Sequence, residues 1–310
     1  MVERPLLVFA ASLLVLWLSA QTGVYLCRRR AKLDQDERAD LGVILTATLT
    51  LLGLIIGFTF SMAITRYDLR KYDEAAEANA IGTEFARAGL LPEGDVARTR
   101  ELLRKYLRQR VLFYTTRNAH TLQQINLATA QLQADLWSTV QAYSAAKPTA
   151  MAVLVVSGMN DVLNSQAYTQ AAWWNRIPAA AWVLMLAIAV CCNCLVGYTA
   201  HHIRGWTRQF LVLPLIVSTS FFLIADIDSP RGGVIRVHPQ NLESVLGFAS
   251  NVSKSNPSDR TSRRDALIQM FKGTRPVKNL GWKNKPIDSS CESDIRACRL
   301  LAKEAAADAR

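Results

Sequence analysis

The sequence lacks the short motifs that mark common soluble enzymes. It contains no phosphate-binding loop, no G-x-G-x-x-G fingerprint, no H-E-x-x-H pair and no G-x-S-x-G nucleophile elbow. Histidine is scarce, with four residues in the chain, and only His201 and His202 are close in sequence. Adjacent residues point to different sides of a helix and make a poor pair of metal ligands. These absences predict that the chain is not an enzyme and binds no cofactor.

Charged side chains are almost missing from four long apolar runs. The runs cover residues 6–26, 41–64, 179–198 and 210–225. A membrane-spanning helix needs about 20 predominantly apolar residues, roughly 17 at the low end, so the shorter fourth run needs Ile227 or a thinner patch of bilayer to span. The first run is longer than a signal-peptide core and is predicted to be retained. The pattern therefore predicts an integral membrane protein with four transmembrane helices, with the lipid bilayer as its partner.

Cysteine and acidic residues are also few. Four of the six cysteines lie within or beside apolar runs, which favours buried small hydrophobes over metal ligands. The chain has 36 basic and 25 acidic residues, a net charge of +11. The two signs are interleaved and no nucleic-acid-binding motif accompanies them, so nucleic acid is not an expected partner. The basic excess instead suits anionic lipid headgroups or plain solvation.

No stretch alternates apolar and polar residues as a half-buried strand does. Between the second and third runs, apolar residues recur at helical spacing in four segments, 66–91, 96–115, 122–144 and 150–171. In the first of these the apolar positions are Ala75, Ala78, Ile81, Phe85 and Ala88. The sequence therefore predicts an all-α protein whose spans are joined to a helical extramembrane domain.

The predicted organisation has five parts. They are a first transmembrane hairpin (1–64), a helical extramembrane domain (65–178), a second hairpin (179–227), a C-terminal part of that domain (228–250) and a flexible basic tail (251–310). Four spans put the termini and the domain on one side of the membrane. Basic residues in the connections 27–40 and 199–209 favour the outside for the domain, whereas basic residues at the other span ends dilute that signal.

The second run carries a small, weakly polar stripe. On a helix, Thr46, Thr50, Gly53, Gly57 and Ser61 fall within one narrow sector. The G-x-x-x-G spacing lets helix backbones approach closely. Gly53, Gly57 and Ser61 are therefore predicted to be helix-packing residues.

A second line of residues lies beside this stripe, and charged residues follow the end of the run. Thr50, Leu54 and Phe58 recur at i, i+4 and i+8. If copies of this helix surround an axis, the line forms a narrow apolar neck, and such a constriction gates by losing its water. After the run, Arg66 and Tyr67 are predicted to anchor the span end at the membrane interface.

These residues resemble the bestrophin-like membrane proteins of bacteria and, more distantly, the bestrophin anion channels. Residues 52–58, followed by Arg66 and Tyr67, are similar to the bestrophin pattern of Gly-Phe followed by Arg and two tryptophans; here Tyr67 and Asp68 replace the tryptophans. Residues 77–93 and 226–237 resemble the bacterial branch in particular. The resemblance covers residues 40–248.

The resemblance implies a homo-oligomer, a ring of subunits around a pore for small anions such as chloride. It places Thr50, Leu54 and Phe58 in the pore neck, and it implies a bacterial inner-membrane protein with a cytoplasmic domain and cytoplasmic termini. Calcium-regulated bestrophins carry a dense acidic cluster after the last span, where this chain has only Asp226 and Asp228. These are weak metal candidates, and a turn hydrogen-bonded by aspartate is favoured.

A second hypothesis belongs to a different functional class. The chain could be a membrane-anchored interaction or signalling scaffold, in which the helical domain binds a partner and the spans only pack. A scaffold would tolerate alanine at Phe58, whereas a pore neck would conduct differently.

Overall fold

The computed structural model describes residues 4–29, 35–199 and 209–254, and every regular element within these ranges is a helix. The elements are α1 (Pro5–Arg29), α2 (Gln35–Arg87), α3 (Glu93–Thr115), α4 (Ala119–Ala146), α5 (Ala150–Trp174), α6 (Ala179–Thr199), α7 (Gln209–Asp228) and α8 (Gln240–Lys254), with a 3₁₀ turn at Ala88–Leu90. Four helices are long and apolar enough to cross a membrane. The predicted all-α fold with four spans is therefore confirmed.

Helix α2 joins the second span to the first amphipathic segment without a break. It has 53 residues, and at 1.5 Å per residue it is roughly 80 Å long, far more than a bilayer requires. Residues 41–64 form its membrane half and residues 65–87 its domain half. One helix therefore connects the membrane helices directly to the extramembrane domain.

Small residues hold α1 against α6 inside the membrane part. A Cβ atom at Gly23 would overlap the backbone of α6, and one at Gly197 would overlap the backbone of α1. The Ser19 hydroxyl donates a hydrogen bond of 2.7 Å to the Val190 carbonyl. The two backbones therefore approach as closely as small residues allow in membrane helices.

The extramembrane domain has one core that draws on α2, α3, α4, α5 and α8. The predicted apolar positions Ala78, Ile81, Phe85 and Ala88 are buried in it, and Ala75 is half-buried. A separate core lies among the membrane helices.

Three sequence predictions differ from the structure or lie outside it. Cys27 and Cys192 are buried as expected, but Cys191 is exposed on the outer side of α6, so the expectation is wrong there. Helix α8 runs through Lys254, past the predicted tail start at 251. The rest of the predicted tail, and the histidine pair after α6, lie outside the described residues.

Candidate pore-lining site

The membrane half of α2 is the least buried of the four spans. Of its most apolar stretch, 6 % is buried within the chain, against 50 % for α7. The buried residues of this half are Leu52, Thr59 and Ala63. At about 100° per residue these three lie on one side of the helix, so the rest of its circumference faces outward.

The candidate line lies on the outward side. Leu54 is 53 % exposed, Phe58 is 66 % exposed, and Thr50 is exposed as well. The line is about half a turn around the helix from the buried residues. The Thr50 hydroxyl donates to the Thr46 carbonyl at 2.9 Å. That donor is satisfied within the helix, which makes the face weakly polar.

The glycines beside this line have no packing partner inside the described chain. A Cβ atom at Gly53 or Gly57 would meet nothing within 4 Å, and Ser61 is exposed. The close helix contacts within the membrane part involve α1 and α6 instead. Packing through Gly53, Gly57 and Ser61 stays a prediction, and it concerns contacts with another copy of the chain.

The residues predicted to anchor the span end join α2 to its surroundings. Arg66 donates to the Asn175 side-chain oxygen at 2.9 Å, in the connection between α5 and α6. Tyr67 packs against both the membrane core and the domain core. One turn further on, buried Arg70 donates to the carbonyls of Ile227 and Asp228, both at 3.3 Å. Side chains of α2 therefore fix the ends of the other membrane helices where these meet the helical domain.

The two aspartates at the end of α7 bind backbone amides. The Asp226 carboxylate accepts hydrogen bonds of 2.8 Å from the amides of Val234 and Ile235. The Asp228 carboxylate accepts from the Ile177 amide at 3.2 Å. Gly233 lies so close to Asp226 that a Cβ there would overlap it. Within the ranges that the structure describes, no three His, Cys, Asp or Glu residues are grouped to hold a metal ion.

Sequence reasoning missed a line of charges in the domain half of α2. Arg70, Glu74, Glu77 and Glu84 are all at most 2 % exposed. Their spacing of four, three and seven residues places them on one side of the helix, the side that enters the core. Charged residues at this spacing among buried alanines and isoleucine were the signal that could have found them.

Glu77 is the centre of the buried polar network. Arg110, also fully buried, forms an ion pair with it, and the Thr169 hydroxyl donates to it at 3.0 Å. The Tyr114 hydroxyl is within 3.5 Å of the same carboxylate. Burial raises the pKa of the Tyr114 phenol, so it stays neutral and can donate. The network joins α2, α3 and α5.

Glu74 and Glu84 differ sharply in how they are satisfied. The Glu74 carboxylate accepts from the amides of Asn241 and Leu242 at 3.0 Å, at the start of α8, where a negative charge favours a helix N-terminus. Neither carboxylate oxygen of Glu84 has a hydrogen-bond partner. Burial, assisted by Asp161 and opposed by Arg87, raises the pKa of Glu84 to about 8.

Comparison with known protein families identifies most of the chain. The family profile described as the Bestrophin-like domain matches residues 8–242, a range that contains the last three spans, all but the first three residues of α1, the candidate line and the buried charges of α2. No curated protein and no solved structure shows significant similarity to the chain. Because the matched range is well over half of the chain, this protein belongs to the bestrophin-like family of membrane proteins.

Proposed function

We propose that copies of this chain assemble with their α2 spans around a common axis and form a channel for small anions. Thr50, Leu54 and Phe58 line its neck. The observation that carries the proposal is the outward position of this line, opposite the face by which α2 packs in its own chain.

The unused glycine face supports assembly through α2. Gly53 and Gly57 leave a shallow groove along the helix with nothing within 4 Å of their Cβ positions. In lipid, helices associate mainly by close van der Waals packing, which small residues permit. A neighbouring α2 that packs into this groove would turn the adjacent line of Thr50, Leu54 and Phe58 toward the axis. Membership of the bestrophin-like family is the second support.

Charge favours anions as the permeating species. The chain carries a net charge of +11, and a basic surface raises the local concentration of small anions near a pore mouth. We place the helical domain and the termini on the cytoplasmic side of a bacterial inner membrane. Support comes from basic residues at the domain ends of the spans, such as Arg66 and Arg176.

Conduction by a phenylalanine variant tests the proposal. Purified protein is fused into planar bilayers under a chloride gradient, and wild type is compared with Phe58→Ala. Removal of the ring widens and wets the neck, so we expect a larger unitary chloride conductance. Phe60→Ala is the matched control, because Phe60 lies on the same helix but on the far edge of the outward face. We expect its conductance to equal that of the wild type.

Two outcomes would contradict the channel. One is the absence of current over a range of pH and calcium concentration, and the other is a single-subunit particle in neutral detergent. Either result leaves the second hypothesis, a membrane-anchored helical scaffold. A conductance that changes equally in both phenylalanine variants would keep the channel but reject this neck.

A further inference from the structure

A cavity of about 740 Å³ lies where the membrane helices meet the helical domain. Its lining includes Arg4, Arg117, Arg176 and Arg231. No residue of α2 lines it, so it is distinct from the candidate pore line. It is a separate feature for which the proposed channel gives no role.

The four arginines converge from four separate places in the chain. They lie before α1, between α3 and α4, between α5 and α6, and after α7. Among the residues that the structure describes, the charged side chains in the cavity lining are all arginines. Asp228 lies close enough to interact electrostatically with Arg176, and the described lining still carries an excess of positive charge. Like charges held together repel one another, and a bound anion relieves that repulsion.

Arg231 is held in place by the protein backbone and by aromatic rings. It donates to the carbonyls of Phe113 and Thr116 at 2.8 and 2.9 Å. Its guanidinium lies 4.3 Å from the ring centre of Trp173 and 4.6 Å from that of Phe113. Such fixation lowers the entropy that binding would otherwise cost. These contacts fix the orientation of the Arg231 guanidinium in the cavity lining.

The cavity is at the depth of lipid headgroups. Arg4 immediately precedes α1, and Arg176 is three residues before α6 begins. Trp174, which also lines the cavity, is 74 % exposed, and tryptophan prefers the membrane interface. A headgroup can therefore reach the arginines without leaving its leaflet.

We propose that this cavity binds a phosphate group at the membrane surface, as carried by the headgroup of an anionic phospholipid. Guanidinium groups match phosphate oxygens with two parallel hydrogen bonds. Free phosphate offers the same chemistry from the aqueous side, and the experiment separates the two sources. The proposal does not depend on whether the protein conducts ions.

The opposite end of the membrane helices provides a contrast. A cavity of about 600 Å³ lies there, and among the described residues the charged ones in its lining are Arg29, Glu37 and Asp40. Among these described residues the acids outnumber the bases, in contrast to the four arginines at the domain end. The contrast predicts tighter binding of anionic lipid at the domain end.

Binding of short-chain lipids to full-length protein in a neutral detergent tests the proposal. Dioctanoyl phosphatidylglycerol, dioctanoyl phosphatidylcholine and inorganic phosphate are titrated at one ionic strength, and Kd is measured by thermophoresis. The variant is Arg4→Gln with Arg117→Gln, since both side chains are exposed and their loss spares the core. The control is Arg28→Gln, an exposed arginine at the opposite end of α1.

We expect phosphatidylglycerol to bind more tightly than phosphatidylcholine, and the loss of two arginines in the double variant to weaken that binding about a hundredfold. Arg28→Gln should leave Kd unchanged. If inorganic phosphate does not displace phosphatidylglycerol, the site is assigned to lipid. If the two compete, the site is assigned to the phosphate group from either source. Absence of binding, equal binding of both lipids, or an equal loss in Arg28→Gln would overturn the proposal.

Discussion

In the membrane half of α2 the outward side chains are mainly apolar, whereas the domain half of the same helix buries four charged side chains. Leu54 and Phe58 are 53 % and 66 % exposed in the single chain. Glu77 and Arg110 can be buried because they neutralise and hydrogen-bond each other in the core. The comparison teaches that contacts within one chain satisfy the domain half of α2, whereas the membrane half leaves one face uncovered for lipid or another chain.

Loss of the Glu77 charge should have the largest effect. Glu77→Gln leaves Arg110 buried without a counter-charge, and we expect the free energy of unfolding to fall by roughly 3 to 5 kcal/mol. Urea titration of the detergent-solubilised protein, followed by tryptophan fluorescence, measures it. The control is Glu101→Gln, which breaks a more exposed ion pair with Arg104 and should cost less than about 1 kcal/mol. Equal losses would mean that burial does not distinguish the two pairs.

Glu84 gives a pH test of the same half. Its pKa in the folded protein is raised to about 8, above the ordinary glutamate value of 4.5. The folded state therefore holds this proton more tightly than the unfolded state does. The resulting stabilisation is complete below about pH 4.5 and is lost as the pH rises through 8.

Glu84→Gln should abolish this loss. We expect the variant to be more stable than wild type at pH 8.5 by on the order of 2 kcal/mol, and nearly equal to it at pH 4.5. Urea titrations at several pH values measure the difference. Asp161→Asn is the control, because this exposed neighbour only assists the shift and should have a smaller effect. Parallel pH profiles for wild type and Glu84→Gln would contradict the assignment.

Substitution of a membrane-half glycine should have the smallest effect on the fold. Gly57→Ala places its Cβ in open space, so we expect the free energy of unfolding of one subunit to change by less than about 1 kcal/mol. If α2 copies pack through this groove, the same change weakens assembly, which native mass spectrometry reports. Gly197→Ala is the control, since its Cβ would strike the backbone of α1 and should cost about 1 to 3 kcal/mol.

The opposite result would reverse the comparison between the halves. If Gly57→Ala destabilises the single subunit as much as Gly197→Ala does, the membrane half of α2 is packed within its own chain. If assembly is unchanged in Gly57→Ala, the outward face contacts lipid instead of a second copy.

Local patterns predicted several elements well. The apolar runs agree with α1, α6 and α7. A span must match the hydrocarbon thickness and form its backbone hydrogen bonds within the helix, and both requirements concern consecutive residues. The periodicity of Ala78, Ile81, Phe85 and Ala88 located the buried side of the domain half of α2. The same periodicity, applied to apolar residues alone, overlooked Glu77 and Glu84 on that side.

Residues in a span or along one helix face were therefore determined by the sequence itself, because hydrophobicity and helical repeat act between near neighbours. Tertiary structure alone decided which small residues join two spans, as Gly23 and Gly197 do, and that Glu77 would meet Arg110. It also brought together arginines from four distant segments in one cavity. Such contacts depend on how whole helices pack, and the free energy of packing is shared among residues far apart in the chain.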